Sequence, residues 1–359
     1  MSSIKLSSGL GSSQDQMLAF PTEAPPDNLG NAARGNRDRP IAFDLVFVTG
    51  LIGLVVYGGL YLDPAITGTP NNQPLGLALA ITLFPVATLL LLSLVERLFT
   101  PAGPRKSLNS YLLHLQINVF YFFMSGIAGT LTAMSAAALA HQFGFNLGLI
   151  DLRFAHGKGF LALLAAAWVS AAVTDFFFYW FHRTLHRTPF LWAHHKMHHM
   201  DRELEAITIA RQNWIEVFLA ALFMTLPMTL FFKVQNAQPW QLGLVSGSVL
   251  TVLTTLLGVG HLNVRWRVGR ASLFWCSPQM HRIHHSQLPQ HQDRNFAFVL
   301  PLWDVLFGTY YAPAWDEFPS TGVDGEKEFT SFFEAQIFTQ REWWKMFRAW
   351  RDRRASRSG

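Results

Sequence analysis

The stretch that decides the reading is Phe181–Met200, FHRTLHRTPFLWAHHKMHHM, which places six histidines in twenty residues. His182 and His186 are four apart, so on a helix both rings point the same way. His195, His198 and His199 are related by three and four, again one helical face. A second tract, SPQMHRIHHS at 277–286, repeats that spacing with His281, His284 and His285, and a lone His261 stands between the tracts in GHLN. Neutral imidazole is the commonest metal ligand in proteins. Each box can present two or three nitrogens to a single point. Eight imidazoles in three boxes, with His261 besides, exceed the four ligands of a tetrahedral zinc site. They suit two metal ions of intermediate softness with positions left open for a small molecule.

The surrounding chain is greasy. Half of its 359 residues are hydrophobic and only 14% are charged, against roughly 25% charged in soluble domains. With 31 Phe and 12 Trp, this composition belongs to a membrane protein. The single cysteine, Cys276, excludes a disulfide framework and a cysteine-rich zinc site. Residues 1–40, rich in Ser, Gly, Pro and Asn, read as a disordered tail, and no cleavable signal peptide is expected there.

Spans of about 20 apolar residues cross a bilayer. Six candidates are Ile41–Leu62, Leu75–Val95, Tyr111–Leu139, Gly159–Phe181, Trp214–Phe232 and Trp240–Gly260, the last two also readable as a re-entrant hairpin. Lys and Arg collect on the cytoplasmic side. Counting them leaves only Arg153, Lys158 and Lys233 in the outer loops and puts both chain ends inside. All the dense histidine tracts then fall on one cytoplasmic face. The net charge of +5 is explained by residues flanking spans, and no nucleic-acid partner is expected. The expected fold is thus an all-α membrane protein, a bundle of about four to six transmembrane helices under a cytosolic helical cap holding a histidine-rich dimetal site. Its parts are the tail (1–40), N-terminal transmembrane helices (41–140), a catalytic region (159–311) and a cytosolic C-terminal tail (312–359).

Rival motifs are missing. Without H-E-x-x-H a zinc protease lacks its general base. Few ionisable groups lie within the spans (Asp44, His114 and Asp175 are the main ones), which disfavours the alternative of a membrane metal-binding or transport protein.

The run DFFFYWFHRTLHRTPFLWAHHKMHH, then GHLN, then SPQMHRIHHS, then DRNFAFVLPLWDVLFGTYY resembles the fatty acid hydroxylase/sterol desaturase superfamily, integral-membrane di-iron oxygenases, over about Gly159–Tyr311. The resemblance implies two iron ions, O2 as co-substrate and a membrane lipid substrate. By position it carries the metal-ligand role onto His182, His186, His195, His198, His199, His281, His284 and His285, with His261 as a ninth ligand. A second histidine that acyl hydroxylases tend to have near His261 is missing, and His291, Asn263 or a water is left to fill its place. Asp175, two helical turns before His182, is a candidate to orient a ligand from behind, because metal-bound histidines usually donate their other N–H to a carboxylate or carbonyl. Asp293, Asn295 and Asp304 are candidates for the same role or for capping turns. His194, His114, His141 and His156 read as structural.

The chemistry implied is insertion of oxygen into, or desaturation of, an unactivated lipid C–H bond. Hydroxylation of an acyl-type or aminolipid substrate is the preferred reading and lipid or sterol desaturation the alternative. No haem or iron–sulfur motif occurs in the chain, so electrons must come from a separate protein, a cytochrome or a ferredoxin with its reductase. The expected location is a bacterial inner membrane or the endoplasmic reticulum, as a multi-pass protein. Finally, QREWWKMFRAWRDRR near the C-terminus places Trp343, Met346, Phe347 and Trp350 on one helical face, which fits either the headgroup layer or docking on the catalytic region.

Overall fold

The computed structural model describes residues 83–143, 160–231, 258–266 and 272–358. The tail at 1–40, the expected first span and nearly all of the last therefore lie outside the described residues, as does His156. Eight α-helices appear among the described residues: α1 Phe84–Glu96, α2 Leu108–Phe143, α3 Phe160–Arg187, α4 Pro189–His199, α5 Trp214–Phe231, α6 Pro278–His284, α7 Leu302–Leu306 and α8 Phe332–Ser358. No β-strand occurs among them, only an isolated bridge between Ser286 and Thr321.

Apolar helices provide the frame. Within α2, Leu108–Gly129 is the one described stretch long and apolar enough to cross a membrane. It packs along α5, with Val217 and Ala221 against Ala128. At 28 residues α3 is about 42 Å long. Its apolar part gives way to HRTLHR in its last two turns, which carry His182 and His186.

Above the frame sits a cap of short elements. Pro189 fixes φ at the first position of α4, so the chain turns straight from α3 into a second helix. Pro278 starts α6 in the same way, and the Ser277 hydroxyl accepts the Met280 N–H as its cap. The floor under α4 is apolar: Met197 and Met200 pack against Leu113 and Ile117 of α2 and against Phe329, Phe332, Ala335 and Phe338. Burying each such large side chain stabilises the cap by roughly 1.5–3 kcal/mol. The first half of α8 is therefore docked, with Trp343 stacked on Phe190 at 4.2 Å.

A polar strap closes the cap. The amides of 296–300 have no ladder partner, and two buried carboxylates supply one. Asp175 accepts from Phe298, Val299 and Leu300 N–H, and Asp304 from Phe296 and Ala297 N–H and the Thr309 hydroxyl. Asn295, in the left-handed region at φ 55°, bonds both to Met280 O and across to Tyr311.

Candidate metal centre

Nine histidines from four places meet in the cap and form two groups. His182, His186, His195, His199 and His284 make one, and His198, His261, His281 and His285 the other. Within each group one nitrogen per residue lies within 4.8 Å of all the others. All nine but His186 are buried. The stacked His199 and His285 rings, 4.3 Å apart, join the two groups.

The boxes do not each serve one point, as their spacing had suggested. His198 and His199 are neighbours whose rings diverge by about 100° around α4, so they face different groups. In the third box His284 turns to the first group, while His281 and His285, four apart, face the second.

The outward bonds set the tautomers. His182 Nδ1 donates to Phe296 O at 2.8 Å, His284 Nδ1 to Arg294 O at 2.8 Å, and His195 Nδ1 to Glu216 Oε1 at 3.1 Å. The Thr208 hydroxyl donates to Glu205 O and so accepts from His261 Nδ1 at 3.0 Å. An imidazole that donates from Nδ1 keeps a lone pair on Nε2, aimed inward.

Those inward lone pairs test whether a metal fits. His182 Nε2 faces His195 Nε2 at 2.9 Å, and His281 Nε2 faces both His261 Nε2 at 2.9 Å and His285 Nε2 at 3.1 Å. Two lone pairs so close repel, and one ring nitrogen cannot hydrogen-bond to two others. A shared cation removes both conflicts. Nitrogens bound at about 2.1 Å in neighbouring positions on one ion stand about 3 Å apart. His186 Nε2, His199 Nε2, His284 Nε2 and His198 Nδ1 are buried without hydrogen-bond partners, as vacant ligand atoms would be. Burial also keeps the rings neutral: it lowers His284 to about 3 and His261 to about 4 and holds His285 well below the usual imidazole range. The donor set fits two metal ions.

Other expected residues fall elsewhere. His291, a candidate ligand in the sequence, joins neither group: Ser286 Oγ and Glu317 Oε1 each lie 2.9 Å from one of its ring nitrogens. Asn263 is spent on the backbone of Gly103 and Pro104. His194 is buried edge-on to Trp343, outside both groups, and His114 bonds to Ser110 O. Asp175, Asn295 and Asp304 touch no ligand. They hold the strap whose carbonyls at 294 and 296 do so, one step further out than the sequence implied. Asp293 comes nearest of the four, 4.0 Å from His186 Nδ1 and paired with Arg187.

The sequence reading missed Glu216 and Thr208. Glu216 carried a signal, as a lone carboxylate at the start of the apolar run WIEVFLAALF. Thr208 carried none, since its role depends on the fold bringing residues 208 and 261 together. Glu96 assists by accepting from Ala206 and Asn263 N–H, which ties the two loops to the end of α1.

A cavity of about 70 Å³ adjoins the histidines. Phe122, Phe178, Phe181, Ile209, Met224 and Phe298 line it together with His182, His195, His198 and His281 and the polar Gln212 and Glu216. One water needs roughly 10–15 Å³, so the space admits several atoms of a chain.

Comparison with known proteins agrees with this geometry. Residues 167–309 match the fatty acid hydroxylase family model. Human alkylglycerol monooxygenase is 31% identical over 147 residues, covering 40% of this chain and 31% of that protein. An ornithine lipid hydroxylase of Rhizobium tropici is 28% identical over 154 residues, 43% of this chain and 44% of its own. A rice (Oryza sativa subsp. indica) very-long-chain aldehyde decarbonylase is 28% identical over 184 residues, 46% and 27% of the two chains. The chain thus spans less than half the length of these relatives, and no solved structure matches it. The match to the fatty acid hydroxylase family covers residues 167–309, and this region holds all nine converging histidines.

Proposed function

We propose that this protein is a multi-pass membrane oxygenase that hydroxylates a lipid at a two-iron centre, using O2 and electrons from a separate carrier protein. The observation that carries the proposal is a largely apolar cavity lined in part by histidines of both groups of converging imidazole nitrogens. A substrate admitted along Phe122, Phe178 and Phe298 is oily, and ligands of this kind suit iron.

Iron held by His182, His186, His195, His199 and His284, and by His198, His261, His281 and His285, would supply O2 activation and attack on an unactivated C–H bond. The chain's own residues bind, orient and shield. Phe178 and Phe298, in contact at 4.7 Å, wall the cavity beside His182 and exclude water from the reacting carbon. Asp175 and Asp304 fix the strap, so that the carbonyls of Arg294 and Phe296 hold the protons of His284 and His182 on Nδ1. Glu216 does the same for His195.

The substrate we favour is an acyl-type or aminolipid molecule. Two relatives bear the names of an alkylglycerol and an ornithine lipid oxidising enzyme, and both names describe lipids with a polar head and an alkyl chain. We read the histidine face as cytoplasmic, from the distribution of Lys and Arg.

The test is mass spectrometry of total lipids from a host expressing the chain beside His285→Ala. Gain of one oxygen in a lipid class, lost in the variant, is the expected result. Loss of two hydrogens would make the enzyme a desaturase. Metal flux without any lipid change, in a host supplied with an electron donor, would replace the oxygenase with a metal carrier.

A further inference from the structure

Helix α8 is built in two halves that do different things. Its first half is docked through Phe332, Ala335, Phe338 and Thr339, and Trp343 closes the contact by stacking on Phe190 and donating to its carbonyl. From Trp344 to Arg357 every residue is exposed. Fourteen residues, about 21 Å of helix, thus project beyond the cap.

A solvated overhang has no need of large apolar side chains, and this one carries four among its charges. Trp344, Met346, Phe347 and Trp350 are each 38–54% exposed. Trp344 and Phe347 continue a row that begins on the docked half with Phe333 at 64% and Ile337 at 50%, while Met346 and Trp350 lie on the side of Trp343. Arginines are interleaved with these side chains: Arg348 lies over the Trp344 ring and Arg354 over Trp350. Residues 341–359 hold seven basic and two acidic residues, a net charge equal to the +5 of the whole chain.

Aromatic rings alternating with arginines on an exposed helix match the boundary between headgroups and acyl chains, where the rings enter and the guanidiniums meet phosphate. The docked half of α8 runs from Phe120 of α2, against Phe332, to Phe190 at the start of α4.

We propose that the exposed side of α8, from Phe333 to Arg354, lies on the surface of an anionic bilayer and fastens the cap to it, with acidic phospholipid headgroups as the ligand. The proposal rests on the reading of the chain as a membrane protein, and its test separates the two.

The full chain is placed in nanodiscs of phosphatidylcholine, with or without phosphatidylserine. A nitroxide is attached in turn to Phe347→Cys, to Trp344→Cys and, as reference, to Leu131→Cys, an exposed position far along α2. The native Cys276 is buried, and the unsubstituted chain gives the background. Collision with O2 and with a water-soluble nickel chelate reports depth. The expected result is a label at 347 or 344 that gains O2 contact and loses nickel contact several-fold only with phosphatidylserine. The gain should fade in 1 M salt, where the screening length falls to about 3 Å. It should also be lost in the combined variant Arg348→Gln, Arg351→Gln, Arg354→Gln. Equal immersion in both lipids would overturn the anionic ligand. A label at 347 and 344 open to nickel while that at 131 is in lipid would overturn the docking proposal alone. Broadening between labels on two chains would assign the face to a second copy. A label at 131 open to nickel would overturn the membrane reading itself.

Discussion

Replacing Glu216 with Gln should loosen one of the two metal positions and leave the other. Its Oε1 lies 3.1 Å from His195 Nδ1, both side chains are buried, and His195 belongs to the five-histidine group. A hydrogen bond to a charged group contributes about 1.5–3 kcal/mol and a neutral one about 0.5–1.5 kcal/mol. Glutamine keeps a neutral acceptor, so the difference is about 1–1.5 kcal/mol. At roughly 1.4 kcal/mol per factor of ten, affinity at that position falls about tenfold. Alanine removes the acceptor entirely and should cost about 10–100-fold, the range for partners that orient a metal ligand from behind. The assay counts iron in purified full-length protein after equilibration with graded chelator. One iron should leave Glu216→Gln at about a tenfold lower chelator concentration, with the second leaving as in the unsubstituted protein. If both irons left together and unshifted, Glu216 would have no part in holding His195. If the four-histidine group emptied first, the division of the ligands would be wrong.

Thr208→Val should show the converse pattern, loosening the position served by His261 about 10–100-fold in the same chelator titration. His291→Gln should leave the iron content unchanged and lower only thermal stability, because both ring nitrogens already have partners outside the site. Asp304→Asn keeps one acceptor and turns an amide toward backbone N–H groups, so it should destabilise the cap by about 1.5–3 kcal/mol or more, read as a lower melting temperature with loss of bound iron. For the metal-free protein, His261 near 4 in the fold against about 6.5 unfolded means that the unfolded chain binds more protons between those values. Stability is then full above pH 6.5 and falls on acidification, by about 2 kcal/mol at pH 5 from this residue alone, which melting curves at pH 5 and 7.5 would measure.

The histidine boxes were legible because helical periodicity is local. Spacings of three and four bring rings to one face, and prolines at 189 and 278 start the helices that carry them. The division of the boxes between two groups was not legible. It depends on how α3, α4 and α6 cross, and adjacent residues such as His198 and His199 separate only once those crossings exist. Asp175 was recognisable as costly and therefore purposeful within its helix, but its partners are amides more than 120 residues away. Those amides belong to a segment with no side-chain pattern to announce it. The C-terminal helix posed a choice between docking and the headgroup layer. Its first half is docked, because Phe332, Ala335, Phe338 and Trp343 find the α2–α4 surface.

The most direct test of the account is the source of the oxygen. The purified chain, loaded with iron and supplied with a reduced electron carrier, is given the lipid fraction identified in the host under 18O2 and, separately, in 18O-labelled water. The account predicts one labelled oxygen per product molecule from 18O2 and none from water, with no product from His285→Ala. An unlabelled product under 18O2, or full turnover by the variant, would contradict it.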